Sequence, residues 1–219
     1  LWNAFKGGFP PPVSFNQSLK GFQANLYTGT GYSLVNAGKE SSRCFELDGG
    51  YQATSWLALP GAATYLSAKY DSFTQTPCVS FDTVRCPANP ATGLTPNYRD
   101  LSGDRPAGIP RWTISTSATV THDLGNGYGW FLRGEFDYTS KTQLVDNTPP
   151  DLSSYGQRNV NASIGLSNRP YHYEVMLWAR NLLDYRTIIA TFPTVAQAGS
   201  YSGFPNQPRT FGVTVRTRF

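Results

Sequence analysis

Apolar and polar residues alternate with a period of two through most of this chain, a pattern that predicts strands with two different faces. Between residues 111 and 123, Trp112, Ile114 and Val120 fall on one face, while Ser and Thr residues fill the other. The segment 128–140 repeats the pattern, with aromatic residues and Leu opposite charged side chains. A soluble β-sandwich is the alternative, but its polar faces would be rich in Lys and Glu rather than in Ser, Thr, Asn and Gly. The alternation therefore favours a sheet that separates an oily medium from a wet one.

The aligned pattern predicts about eight strands. They lie near Val13–Gln23, Tyr32–Thr54, Ala62–Phe73, Arg111–Asp123, Tyr128–Ser140, Arg158–Ser167, Tyr171–Phe192 and Arg209–Phe219. Eight strands are enough to close a small barrel, so a self-contained barrel and a part of a larger one both fit this count.

The connections between the strands alternate in length. Short ones fall at the sequences TSWLALPG, GNG and SNRP, and long ones at Thr74–Pro110, Lys141–Gln157 and Pro193–Gln207. In an up-and-down sheet, this order places the short turns at one end and the long loops at the other. Outer-membrane barrels have this arrangement, with short periplasmic turns and long extracellular loops. The predicted fold class is all-β: an antiparallel up-and-down transmembrane β-barrel.

Composition and charge exclude two other classes of protein. No stretch approaches the roughly 18 apolar residues that a membrane-spanning helix needs. The net charge of +4 comes from basic residues that are scattered singly along the chain. Because nucleic-acid binding requires a concentrated basic surface, we expect no nucleic-acid partner.

The cysteines predict one disulfide bond. Cys78 and Cys86 lie in the Pro-rich stretch TPCVSFDTVRCPANP, which has no helix or strand period. A disulfide closing this loop is the favoured interpretation, and a metal-binding pair is the alternative, which the absence of a nearby His disfavours. Cys44 is interpreted as a small strand residue.

The chain carries no evident catalytic motif. Its two histidines, His122 and His172, adjoin short turns, and no nucleophilic serine motif accompanies either of them. We therefore predict no enzyme activity, no catalytic residues, no metal site and no cofactor.

Four segments, taken in order, resemble the C-terminal part of TonB-dependent outer-membrane receptors. They are VNAGKESSRCFELDG (Val35–Gly49), LSAKYDSF (Leu66–Phe73), LWARNLLDYRTI (Leu177–Ile188) and PRTFGVTVRTRF (Pro208–Phe219). Cys44 stands where the family usually has Gly. The resemblance implies that residues 1–219 form about the last eight strands of a barrel of about 22 strands. An N-terminal plug, a signal peptide and the earlier strands are then expected to be absent from this sequence.

The resemblance also implies a function. Such a receptor lies in the outer membrane of a Gram-negative bacterium and binds a scarce nutrient, often a ferric siderophore. An inner-membrane TonB complex drives uptake through the plug. The expected partners are the nutrient ligand, outer-membrane lipid, the TonB complex and the barrel-assembly machinery. A passive outer-membrane pore and a surface adhesin are the alternatives.

Three sets of candidate functional residues follow from the pattern and the resemblance. Aromatic rings and guanidinium groups suit an anionic, ring-bearing chelate. The candidate ligand residues, in or near the long loops, are therefore Tyr98, Arg99, Arg105, Phe192, Tyr201 and Phe204. Packing within the loops is the alternative role for these residues. The residues predicted to face the barrel lumen are Arg133, Glu135, Asp137, Glu174, Arg180, Arg216 and Arg218. The terminal Phe219 resembles the assembly signal of outer-membrane barrels. Within RNLLDY, we interpret Asn181 and Asp184 as partners of backbone groups at a bend.

Overall fold

The computed structural model describes residues 10–27, 32–78, 83–146, 148–168, 172–195, 197 and 199–217. In chain order the strands are β1 (Val13–Lys20), β2 (Gln23–Tyr27), β3 (Tyr32–Asn36), β4 (Lys39–Thr54), β5 (Leu57–Ser72), β6 (Thr76–Pro77), β7 (Tyr98–Arg99), β8 (Trp112–Gly125), β9 (Tyr128–Gln143), β10 (Ser154–Asn168), β11 (Tyr173–Arg180), β12 (Ile188–Pro193), β13 (Tyr201–Pro205) and β14 (Thr210–Thr217). A four-residue helix, α1 (Pro150–Ser153), precedes β10.

Eight of these strands form one antiparallel sheet in the order β1-β4-β5-β8-β9-β10-β11-β14. Each strand pairs with the next long strand along the chain, which is the up-and-down arrangement that the connection lengths predict. The predicted all-β class and the count of eight sheet strands are confirmed. The six remaining strands form three two-stranded sheets within the long connections: β2-β3, β6-β7 and β12-β13.

Three predicted strands were drawn too long. The segment 13–23 runs from β1 into β2, which are separated where Gly21 has a left-handed backbone with φ of 67°. The segment 32–54 contains β3 and β4, which are separated where Gly38 adopts a left-handed backbone with φ of 71°. The segment 171–192 breaks after β11, where Asn181 also has a positive φ. The strand predicted to begin at Ala62 was instead drawn too short, because β5 begins at Leu57 and leaves only Ser55 and Trp56 in the turn after β4.

The alternation in sequence becomes two faces in the structure. One apolar row crosses six strands, each residue lying opposite the next in register: Leu57, Val120, Leu132, Ile164, Leu177 and Val213. Leu132, Ile164 and Val213 in this row are 46%, 49% and 62% exposed. We call the side of the sheet that carries this row the apolar face and the other side the polar face. These exposures show that this row of the apolar face is accessible in the described part of the chain.

Strand β1 departs from this pattern. Its apolar residues Val13, Phe15 and Leu19 lie opposite Glu46, Cys44 and Glu40, so they share the polar side of the sheet. All three are exposed. The local sequence alternates in β1 as elsewhere, and only its register with β4 reverses the sides.

The two ends of the sheet differ as predicted. At one end the turns are short, and Gly125, Asn126 and Gly127 all have positive φ in the tight turn between β8 and β9, which confirms the GNG hairpin. At the other end lie the long connections 21–38, 73–111, 144–153 and 181–209. We call this the long-loop end.

The main buried cluster lies at the long-loop end. It joins Leu26 of β2 and Ala37 to Tyr70 of β5, Phe73 and Leu101, together with Ala24. Leu26 is fully buried and Tyr70 is 1% exposed. The connections at this end therefore pack on one another with a core of their own. No helix in the described ranges has the length and apolarity to cross a membrane.

Candidate functional site

The predicted charged residues gather on the polar face. The Arg216 guanidinium donates to Glu174 across the β11–β14 pair at 3.1 Å, and Asp137 accepts a hydrogen bond from the Ser115 hydroxyl across β8–β9 at 2.7 Å. Arg133 contacts Glu135 at 2.7 Å along one strand, so this pair does not cross between strands. Glu135 also accepts a hydrogen bond from the Asn161 amide at 3.3 Å.

Aromatic rings cover glycines on the same face. Trp178 lies over Gly212, its partner in the β11–β14 register, and leaves no room for a Cβ there. Its indole Nε1 donates to the Thr214 hydroxyl at 3.1 Å, and the Arg180 guanidinium lies 5.0 Å from the ring centre. Arg180 is thus placed by stacking on an aromatic ring. The remaining predicted lumen residue, Arg218, lies outside the described residues, as does Phe219.

The disulfide is present as predicted. Cys78 and Cys86 are bonded within the connection between β5 and β8, eight positions apart. Cys44 is free and buried in β4, and its thiol donates to the Glu46 carboxylate at 3.3 Å. The interpretation of Cys44 as a small strand residue agrees with this position.

Three of the six candidate ligand residues belong to this cysteine-containing connection. Tyr98 is 57% exposed in β7, whereas the neighbouring Arg99 side chain is only 10% exposed. Arg99 contacts the Asp104 carboxylate at 4.0 Å and donates to the backbone oxygen of Asp146 at 3.5 Å. The half-buried Arg105 donates to the Ile109 backbone oxygen at 3.3 Å. The two arginines therefore have clear packing roles, and Tyr98 presents the accessible surface.

Asp146 joins this connection to the next one. It lies between β9 and α1, and its carboxylate accepts hydrogen bonds from the Ala107 backbone N–H at 2.7 Å and from the Tyr70 hydroxyl at 3.0 Å. The Gln143 side chain stabilises the connection between β9 and α1 by donating to the backbone oxygens of Val145 and Thr148. One carboxylate thus connects β5 with both long loops. The sequence reasoning missed Asp146, because a single Asp in a loop has no periodic or motif signal.

Burial raises the pKa of the Asp146 carboxyl above its ordinary range, although the Ala107 N–H, the Tyr70 hydroxyl and Arg99 act in the opposite direction. Asp104 adds to the increase. The charged form is therefore less favourable in the folded loops than in water. Because burial outweighs these hydrogen bonds, protonation of the Asp146 carboxyl stabilises the folded loops relative to the unfolded chain.

The other three candidates form a separate group in the β12–β13 hairpin. The rings of Phe192 and Phe204 lie 6.0 Å apart, and Tyr201 lies opposite Pro193 in register. Phe204 is 59% exposed. The structure thus divides the six candidates into a cysteine-loop group and a hairpin group, both at the long-loop end.

The bend at RNLLDY is organised by Asn181. This buried residue donates from Nδ2 to the backbone oxygens of Tyr185 and Gln207, both at 3.0 Å, and its Oδ1 accepts from the Tyr185 N–H at 2.9 Å. Asp184 accepts from the Arg209 backbone N–H at 3.2 Å. Both side chains partner freed backbone groups, as the sequence predicts.

Two clefts lie near this bend. The larger has a volume of about 590 Å³ and is lined by β9, β10 and residues 185–188, together with Pro205. The smaller, of about 160 Å³, is lined mainly by amide side chains and by Arg158 and Arg180. None of the six candidate ligand residues lines either cleft.

Neither histidine lines either cleft. His122 lies 6.0 Å from the Trp130 ring near the β8–β9 turn, and His172 is exposed at the end preceding β11. Within the described ranges, no group of three His, Cys, Asp or Glu residues is arranged to hold a metal ion.

Comparison with known proteins supplies the family. The sequence model described as TonB dependent receptor-like, beta-barrel, matches residues 14–182. The chain belongs to this family. Among curated proteins, no sequence relative matches it.

Two solved structures share the fold of this receptor barrel segment. The ferric yersiniabactin uptake receptor FyuA from Yersinia pestis aligns over 95% of this chain and 27% of its own length, with a TM-score of 0.67 and 15% identity. The siderophore receptor PiuA from Acinetobacter baumannii aligns over 93% of this chain and 25% of its own, with a TM-score of 0.58 and 16% identity. The chain therefore spans about a quarter of the length of these receptors.

Proposed function

We propose that this chain is the C-terminal portion of an outer-membrane receptor that takes up a scarce nutrient, such as a ferric siderophore, by TonB-driven transport. The observation that carries the proposal is the family match over residues 14–182, on a sheet whose long connections all lie at one end. Family members are transporters and not enzymes. The two structural neighbours are named as a ferric yersiniabactin uptake receptor and a siderophore receptor, and these names support iron as the first nutrient to test.

The two faces of the sheet define the proposed surroundings. The exposed apolar face contacts outer-membrane lipid, because lipid-facing rows of such barrels are apolar. The polar face, with Arg133, Glu135, Asp137, Glu174 and Arg216, lines the lumen. The long-loop end is extracellular. An N-terminal plug makes the contact with TonB, and the barrel-assembly machinery recognises Phe219.

Ligand contacts are proposed for the accessible members of the two candidate groups. Tyr98 in the cysteine loop and Phe204 in the hairpin are the most exposed of the six. Arg99 and Arg105 are already engaged by backbone oxygens, so their substitution also tests loop packing. Exposed aromatic rings suit contact with a ring-bearing chelate.

The test uses the full-length protein in a strain that lacks its own gene. Uptake of radioactive ferric iron is measured with a panel of purified siderophores, with TonB present and with TonB deleted. The proposal expects uptake of at least one complex that requires both the receptor and TonB. Uptake that persists without TonB would instead identify a passive pore.

A matched pair of variants tests the ligand groups. Tyr98→Ala with Phe204→Ala should lower the affinity for the transported complex by at least about tenfold, since a buried aromatic contact contributes about 1–2 kcal/mol. Tyr51→Ala, an equally exposed aromatic on β4 near the short-turn end, is the control and should leave affinity unchanged. Unchanged affinity in the double variant would exclude these two residues as ligand contacts.

A further inference from the structure

We propose that the larger cleft binds the phosphate-bearing headgroup of an outer-leaflet lipid. Three cations, Lys141, Arg158 and Arg186, line it together with three tyrosines, Tyr138, Tyr155 and Tyr185. The described lining residues include no carboxylate. A cationic cleft with hydroxyl donors matches the chemistry of a phosphate monoester or diester.

The position of the cleft points to a lipid. Tyr138 and Arg158 lie directly opposite each other in the β9–β10 register, and they extend the apolar rows formed by Phe136 with Val160 and by Leu132 with Ile164. A cation and a tyrosine therefore end a series of exposed apolar side chains at the long-loop end. Amphipathic and basic side chains take such positions where the hydrocarbon meets the headgroups.

A cation–π contact and several hydrogen bonds hold the cleft in place. The Arg158 guanidinium lies 5.0 Å from the centre of the Tyr185 ring, a cation–π contact that orients it. The Tyr185 backbone is fixed in turn by Asn181 and by the Asn206 amide at 2.7 Å. Thr187 joins the segment 185–188 to β10, because its hydroxyl donates to the Gly156 backbone oxygen at 2.9 Å.

Arg186 is the most adaptable of the three cations. Its side chain is 74% exposed and contacts the Asp184 carboxylate at 3.2 Å. One carboxylate beside three cations leaves a net positive charge. The Asp184 contact is a surface ion pair of small energy, so a phosphate can compete for Arg186.

The proposal rests on the apolar face being in contact with lipid, and not on the nutrient that is transported. It is tested with purified full-length protein in neutral detergent, to which lipid A is added with or without its phosphates while bound lipid is counted by native mass spectrometry. The wild-type protein should bind phosphorylated lipid A at least about tenfold more tightly than the dephosphorylated form. Equal binding of the two forms would overturn the proposal.

Variants assign the binding to the cleft. Lys141→Gln, Arg158→Gln and Arg186→Gln combined should abolish the preference for phosphorylated lipid A. The control is Lys20→Gln with Lys69→Gln, which also removes cations from the long-loop end; Lys20 is exposed and Lys69 pairs with Asp71 at 3.6 Å. The control should keep the preference, and a triple variant that keeps it would overturn the assignment.

Inorganic phosphate serves as a competitor in a second experiment. If it displaced the lipid at equal molar concentration, the site would bind free phosphate and the lipid assignment would fail. Iron uptake by the triple variant should stay normal, which separates this site from the transport function.

Discussion

Arg216 and Glu174 face each other directly in the β11–β14 register, with the Arg216 Nη1 3.1 Å from the Glu174 Oε1. This cross-strand pair fixes the sides of β14, because neighbouring residues of a strand point to opposite faces. Val213 and Val215 must then share the apolar face with Leu177 and Val175, their partners in β11. The last described strand thus has one charged side and one apolar side.

Arginine should be far less tolerated at Val213 than at Thr214. On a lipid-facing position near mid-bilayer, Val213→Arg costs about 2–4 kcal/mol. Thr214→Arg loses the hydrogen bond from the Trp178 indole, which contributes about 1 kcal/mol, but leaves the cation in water. The amount of folded, heat-modifiable full-length protein in outer membranes measures the difference. Equal assembly of the two variants would show that the faces are assigned wrongly.

Opening of the cysteine loop should depend on pH through Asp146. The folded pKa of this carboxyl is raised, so its contribution to stability is fully present below the unfolded pKa of about 3.9 and is lost as pH rises through the folded pKa. The Ala107 and Gly108 amides should therefore be better protected from hydrogen exchange near pH 4 than near pH 7, after correction for intrinsic rates. Asp146→Asn, which cannot ionise, should flatten this dependence.

Asp100→Asn is the control for that experiment. Asp100 accepts a hydrogen bond from the Ser102 N–H at 2.7 Å, and its pKa is lowered by hydrogen bonds from Ser102. Its contribution therefore has the opposite sign and is lost as pH falls. If Asp146→Asn and the wild-type protein showed the same pH dependence, the Asp146 carboxyl would not be the source.

Reduction of the Cys78–Cys86 disulfide should loosen its loop without unfolding the barrel. In the chain-entropy description, a bond across so short a loop contributes about 2.5 kcal/mol. Non-reducing peptide mapping should recover the linked peptide, and mild reduction should make both thiols reactive. Cys44 is the internal control, because it is buried in β4 and should react only when the sheet opens. Rapid labelling of Cys44 under mild reduction would contradict its burial.

Asn181→Asp should weaken the bend strongly although the two side chains have the same shape. The substitution removes the Nδ2 donor and places a carboxylate against the backbone oxygens of Tyr185 and Gln207. Loss of two hydrogen bonds at a buried site costs about 2–4 kcal/mol. Asp184→Asn is the matched control, since its Oδ1 can still accept from the Arg209 N–H. Urea unfolding followed by gel mobility should rank Asn181→Asp well below the control.

Deletion of Phe219 should slow assembly of the full-length protein. Phe219 is proposed above as a residue that the barrel-assembly machinery recognises, so its loss should leave unfolded protein in the periplasm. Phe219→Tyr keeps an aromatic side chain at this position and should assemble normally. Normal assembly of the deletion would remove Phe219 from the signal.

The sequence by itself determined the class of the fold, the number of sheet strands and the two faces of most of them. Side chains alternate along any strand, so the local sequence is enough to place Leu132 and Phe136 on the same face. The sequence GNG is likewise enough to predict a tight turn. The Cys78–Cys86 pairing was also predictable, because both residues lie in one Pro-rich stretch that has no helix or strand period.

Only the tertiary structure decided how the long connections pack and which residues they bring together. Asp146 meets Tyr70 and Ala107 across 76 and 39 positions of sequence, and no periodic signal spans such separations. The reversal of Phe15 to the polar side depends on its register with Cys44, since a shift of one residue exchanges the faces of a whole strand. The cationic cleft likewise forms because the chain after Asn181 folds back along β10, which sets Tyr185 beneath Arg158.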